Sequence, residues 1–466
     1  MTRAAIAGGA FAVITALIVL FAVAAGYRTH EPHPRPAVPS ARTAPPTAPA
    51  EETQTRRAAE SHPGFLYGRI TTIDRAVYEG RLRWGGREEA FWGDYFNGSK
   101  HDNPWRAQVP PAELPEESHP IEIFGIKIID RKRPIDLRRP FMARFGEIAR
   151  IEARGIKGVR VTLKSGTVFD LDRFEAGDFD DSVRVWDATR GVVDLDSLRI
   201  RSIELLPTPA PGAAPSRLHG TVRTPQGDFT GFLQWDREEC VGSDTVDGHA
   251  AGGEVSLRFD TIRSIARRSP DSSLVVLLDG REIVLSDTRE VGRGNRGVYV
   301  DDSRYGRVLV SWDAFERVDF SPGGSGPAYG YFPPGSPLSG SVTTRDGRRL
   351  TGRLVYDLDE SETTETLDAP SQGVDYTIPF GLISSIQRPD VEERGVPSLS
   401  VTLASGEELQ LEPEGDLGDR NAGMLIFLDG RQRPEYVPWT NVEGIVFDPA
   451  PAMYPPLGGR EITGAR

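Results

Sequence analysis

One motif occurs three times along this chain, and that repetition restricts its possible folds more than composition does. It reads LYGRITTIDRAVYEGRLRW from Leu66, LHGTVRTPQGDFTGFLQW from Leu218 and LSGSVTTRDGRRLTGRLVY from Leu338. In each copy a glycine (Gly68, Gly220, Gly340) precedes a second by eleven or twelve residues (Gly80, Gly231, Gly352), and an aromatic follows four later (Trp84, Trp235, Tyr356). Apolar residues between the glycines alternate around a central turn, the signature of a β-hairpin. The glycine within the second strand predicts a bulge or sharp bend.

Two further blocks recur. An aromatic precedes two isoleucines by three and six residues in Phe145, Ile148, Ile151, in Phe259, Ile262, Ile265 and in Phe380, Ile383, Ile386. That step predicts one short 3₁₀ turn between strands, with all three side chains facing the core. A second apolar hairpin turns at Gly166, Gly280 and Gly406, and closing segments repeat the three-residue spacing at Trp312, Phe315, Val318 and at Trp439, Val442, Ile445, with Ser197, Ile200, Ile203 as the weaker version in copy one. The expectation is an all-β fold of three tandem repeats, each of two similar barrel-like or roll-like halves, with little helix. The order of hairpin, strands, short turn and closing strand resembles small SH3-like or Sm-like barrels, a likeness of fold that other β-sandwiches and rolls share.

Domain boundaries follow from punctuation. Residues 64–206 form repeat one, with an insertion of about 98–140; 217–321 form repeat two and 338–449 repeat three. Pro207–Ser216 and Ser321–Ser339 read as linkers, and 450–466 as a disordered tail. Residues 28–63 are rich in Pro, Ala, Thr and Glu and read as a disordered tether. Ahead of it, Ala4 to Tyr27 carries no charge and is long enough to cross a hydrocarbon layer of roughly 30 Å as a helix. Residues 1–27 are thus a signal peptide or an uncleaved signal anchor. Flanking arginines at Arg28, Arg35 and Arg42 favour the body inside, but a long folded domain is translocated largely regardless of such charges. The expected location is therefore the extracytoplasmic side of the inner membrane of a cell envelope, anchored by this segment, or secreted if the segment is cleaved. The excess of Arg over Lys, with abundant Ala and Pro, suggests a bacterial coding sequence.

A formal charge of −13 argues against nucleic acid as the partner. Cys240 is the only cysteine, which excludes an intramolecular disulfide and the usual cysteine zinc cages. The histidines are scattered, and no nucleophile elbow, phosphate loop or dinucleotide fingerprint occurs. The chain is therefore expected to be a non-enzymatic binding protein for an envelope protein or glycan. Two alternatives stay open: a hydrolase acting through strand-end carboxylates, and a structural spacer or assembly subunit. Candidate partner-binding residues are the aromatics Phe91, Trp92, Tyr95, Phe96 and Trp105 beside the insertion, and Arg131 and Arg133 near its end. Asp236, Glu238, Glu239, Asp357 and Asp359 follow the repeated aromatic and are candidate ligands for calcium, a cation that collects several carboxylates from one loop. No other cofactor is expected.

Overall fold

The repeated glycines face each other across their hairpins: Gly68 opposite Gly80, Gly220 opposite Gly231, and Gly340 opposite Gly352. The neighbouring strand explains them. A Cβ at Gly80 would stand 2.0 Å from the Trp186 carbonyl oxygen, at Gly231 1.9 Å from that of Asp301, and at Gly352 2.2 Å from that of Phe427. Pairing within each hairpin runs through these positions without a register shift, so they admit a close strand crossing and are not bulges.

The computed structural model describes residues 63–84, 91–114, 116–123, 126–134, 137, 139–173, 182–209, 216–324, 326–388 and 398–450. All fall in the unit Ala50–Arg466; the unit Met1–Pro49, most of the tether and nearly all of the expected tail lie outside the described residues. The protein is all-β, and among the described residues the only helical elements are single 3₁₀ turns. Three of these, Phe145–Glu147, Phe259–Thr261 and Phe380–Leu382, occupy the predicted three-residue step, and each feeds a strand beginning at an isoleucine.

Each repeat is organised around its closing strand. Ile200–Leu205, Arg317–Phe320 and Val442–Phe447 each pair on one side with the opening strand and on the other with the strand after the 3₁₀ turn. The two halves of a repeat therefore share one sheet, and the strand order of repeat one recurs in repeats two and three. The first and third sheets have 8 strands each. The second has 12, because it carries its own hairpin, Thr245–Ala250 with Gly253–Arg258, and also the hairpin of repeat three, Thr366–Ser371 with Val374–Pro379. Strand Gly306–Val310 of repeat two makes that junction, with Val308 opposite Tyr376. One apolar core consequently runs through repeats two and three, while repeat one has its own.

The segment Ser321–Ser339 is more than a spacer. Its Phe332 is buried in the core of repeat one, where a Cβ on Gly146 would meet the ring at 2.1 Å. Lys164 Nζ donates to the carbonyls of Tyr329 and Phe332 at 2.7 and 2.9 Å, and the Tyr329 hydroxyl donates to Ile148 O. Burial fixes this strap because aromatic area removed from water outweighs the entropy of ordering a short connection.

The aromatic run of repeat one also differs from expectation. Phe91, Trp92 and Phe96 are fully buried and Tyr95 nearly so. They open the strand Tyr95–Ser99, which pairs with Pro140–Arg144 as Thr245–Ala250 pairs with Gly253–Arg258 in repeat two. They are core residues and offer no open binding surface. Tyr95 is held by Arg144, whose Nε donates to its hydroxyl at 3.1 Å.

Candidate carboxylate site

In repeats two and three a tight turn follows the hairpin aromatic. Trp235 bridges Glu239, and Tyr356 bridges Glu360. Two residues in each turn adopt positive φ, Asp236 and Arg237 at 49° and 63°, Asp357 and Leu358 at 50° and 52°. Aspartate tolerates this region because its short side chain bonds locally. Asp236 accepts from the Arg296 amide and Asp357 from the Ala422 amide.

A second pair of carboxylates joins each turn. The Glu290 side chain accepts from the Asp247 amide at 2.8 Å, and that of Asp416 from the Asp368 amide at 2.7 Å. The Glu290 and Asp416 carbonyls accept from Trp235 Nε1 and the Tyr356 hydroxyl, and also from Asn295 and Asn421. Five acidic positions are thus duplicated: Asp236, Glu238, Glu239, Asp247 and Glu290 in repeat two correspond to Asp357, Asp359, Glu360, Asp368 and Asp416 in repeat three.

The cations differ. In repeat two they come from the same repeat: Arg289 Nε lies 2.6 Å from Asp236, while Arg289 and Arg296 reach Glu238 at 2.9 and 2.8 Å. The counterparts of Arg289 and Arg296 are Gly415 and Ala422. Gly415 has φ 58°, and a Cβ there would lie 2.2 Å from Asp368 O, so an arginine does not fit. Repeat one supplies the missing charge. Lys100 Nζ lies 2.7 Å from Asp359 and 3.1 Å from Glu365, and Arg139 Nη2 lies 2.9 Å from Asp357. The insertion docks around them: Asn103 donates to Leu358 O, and half-buried Trp105 meets the Phe427 ring edge-on at 6.1 Å. Among the partner-binding candidates, Trp105 is therefore an internal contact. Arg131 and Arg133 lie on strand Ile126–Pro134, and their side chains fall outside the described residues.

Between the insertion and repeat three lies a cavity of about 400 Å³. Six carboxylates line it (Asp357, Asp359, Glu360, Glu365, Asp368 and Asp416), against the three cations Lys100, Arg139 and Arg420. Burial, compounded by neighbouring carboxylates, pushes Glu360 and Asp416 well above the usual range. Asp357 is pushed up to about 7 by burial, partly offset by Arg139. Glu360 Oε2 is enclosed without a hydrogen-bond partner. Burial would lower Lys100, but Asp359 and Glu365 raise it on balance.

No family model, curated protein or solved structure matches this chain.

These contacts define the surroundings of the residues named for calcium. Asp236 and Glu238 face Arg289 and Arg296, Asp357 and Asp359 face Arg139 and Lys100, and Glu239 is pushed up to about 8 by burial and by Glu290. Among the described residues no three His, Cys, Asp or Glu side chains are grouped to hold a metal ion. Among the same residues no helix is long and apolar enough to cross a membrane; the run from Ala4 to Tyr27 lies outside them. The sequence pointed to the two acidic turns, but Asp368, Asp416 and Lys100 went unnoticed because each is brought in from a different strand or loop. Repeat alignment beyond the hairpins carries the signal for Asp368 and Asp416, which align with Asp247 and Glu290.

Proposed function

We propose that this chain is a non-catalytic binding protein displayed at a bacterial cell envelope, and that its acidic cavity receives a cationic side chain of a protein partner. One observation carries the reading: six carboxyl groups face three cations in a cavity of about 400 Å³, so carboxyl groups outnumber their partners and an entering ammonium would favour the ionised form of those that burial has pushed up. Lys100 supports the choice of an alkylammonium, since its own ammonium group is held there by two carboxylates. A neutral glycan is disfavoured, because the aromatics that would have stacked on it are core residues. The uncharged run Ala4–Tyr27 supports attachment to, or export across, a membrane.

The test is calorimetric titration of the full-length chain in mild detergent with an oligolysine peptide and with an oligoglutamate control. Binding of oligolysine alone, weakened by salt and lost in Glu360→Gln with Asp416→Asn, is the expected result. Equal binding of both peptides, or none at low salt, rejects the reading.

A hydrolase is the second reading, favoured by the upward push of burial on the Glu360 and Asp416 carboxyl groups beside the lysine-paired Asp359 in one cavity. It requires turnover of a chromogenic glycoside or ester that disappears in Glu360→Gln.

A further inference from the structure

Strand Gly306–Val310 of repeat two is extended by Val374–Pro379 of repeat three, with Val308 opposite Tyr376, Leu309 opposite Asp375 and Val310 opposite Val374. Both partners have counterparts elsewhere. Gly191–Leu195 of repeat one pairs with Val183–Asp187 as Gly306–Val310 pairs with Val298–Asp302, and both begin at a positive-φ glycine. Gly253–Arg258 of repeat two pairs with Thr245–Ala250 as Val374–Pro379 pairs with Thr366–Ser371.

Neither counterpart has a second strand beside it among the described residues; each ends its sheet. Their side chains show the difference. Val308 and Val374 are fully buried, whereas Val193, which stands where Val308 does, is half-buried and every residue of Gly253–Arg258 is exposed or half-buried. Repeat three's own edge, Glu435–Val437, also ends its sheet but is half-buried to buried, and Tyr436 packs against the apolar cluster that includes Val109 and Leu137 of the insertion. Pro140–Arg144 of repeat one, the further counterpart of Val374–Pro379, also ends its sheet but is largely buried, so among the described residues Gly191–Leu195 and Gly253–Arg258 are the accessible edges of the two kinds that the Gly306–Val310 junction joins. An unpaired edge is a template for another strand, and here the fold itself contains the pairing.

We propose that copies of this chain join head to tail, Gly191–Leu195 of one pairing with Gly253–Arg258 of the next in the register of the internal junction. That register places Val193 opposite Val255, Leu195 opposite Gly253 and Asp194 opposite Glu254. The last pair is unfavourable, tempered by Arg184, which holds Asp194 through two hydrogen bonds of 2.7 and 2.9 Å. Because the joined surfaces differ, the contact generates rings or filaments and not a two-fold dimer.

Sedimentation velocity on the full-length chain in mild detergent tests this. The weight-average mass should rise with concentration beyond a dimer. Glu254→Lys, which turns the opposed carboxylates into an ion pair, should tighten association roughly fivefold, whereas Val255→Pro should abolish it while far-UV circular dichroism shows the β fold retained. Val193→Cys mixed with Val255→Cys should cross-link, and neither alone should. A monomer at every concentration, in wild type and Glu254→Lys alike, overturns the proposal, as does assembly indifferent to Val255→Pro.

Discussion

Lys100 and Asp359 are separated by 259 residues in the chain and by 2.7 Å in the fold. Their contact joins repeat one to repeat three and substitutes for the arginines that repeat two places beside its own acidic turn. With the strand junction between repeats two and three, and the Phe332 strap from their connection into repeat one, it explains why three repeats form one body.

Removing this cation should be costly. Lys100→Ala leaves Asp359 and Glu365 buried without their ammonium partner, and breaking a buried ion pair on one side costs about 3–5 kcal/mol. Denaturant unfolding at neutral pH should show that loss, and acidification should narrow it by protonating the stranded carboxylates. An unchanged midpoint would mean that Lys100 contributes nothing to the joint.

Stability should fall as the solution becomes more alkaline. Burial and Glu290 push Glu239 from 4.5 up to about 8, and burial pushes Glu290 up to about 7. The folded protein then holds protons that the unfolded chain has released, so stability declines as pH rises from about 4.5 to 8. Glu239→Gln should flatten the decline of melting temperature across that window and raise stability at its upper end.

The paired glycines should be the least replaceable. Gly231→Ala puts a methyl group 1.9 Å from the Asp301 carbonyl oxygen, where strand backbone must yield, and a loss of roughly 3 kcal/mol is expected. Gly280→Ala, at a turn with open space and φ 88°, carries only the conformational cost of about 1–2 kcal/mol. Chemical denaturation of the two variants side by side measures the difference.

The strap should behave as core. Phe332→Ala removes a buried ring from repeat one and should cost about 3–5 kcal/mol. Limited proteolysis should then cut near Tyr329, a site that wild type protects.

The repeated hairpins, the 3₁₀ steps and the all-β class were legible in the sequence because each depends on neighbours close along the chain: alternation writes a strand, and turn glycines write a hairpin. Phe145, Ile148 and Ile151 are buried as their spacing predicts. The acidic turns were visible for the same reason, since Asp357 and Asp359 follow a repeated aromatic. Their surroundings were not. Trp92 and Phe96 carry the same letters whether they face solvent or a core, and burial is decided by what packs against them from strands far along the chain.

By itself, then, the sequence determined the strands, their turns and the apolar faces, all set by backbone preference and side-chain alternation within a few residues. Only the tertiary structure decided that Lys100 and Arg139 neutralise another repeat's carboxylates, that Phe332 belongs to repeat one, and which strand edges stay open. Those outcomes depend on distances between segments remote in sequence, and Coulomb attraction and burial act on distance in space, which no local pattern of residues encodes.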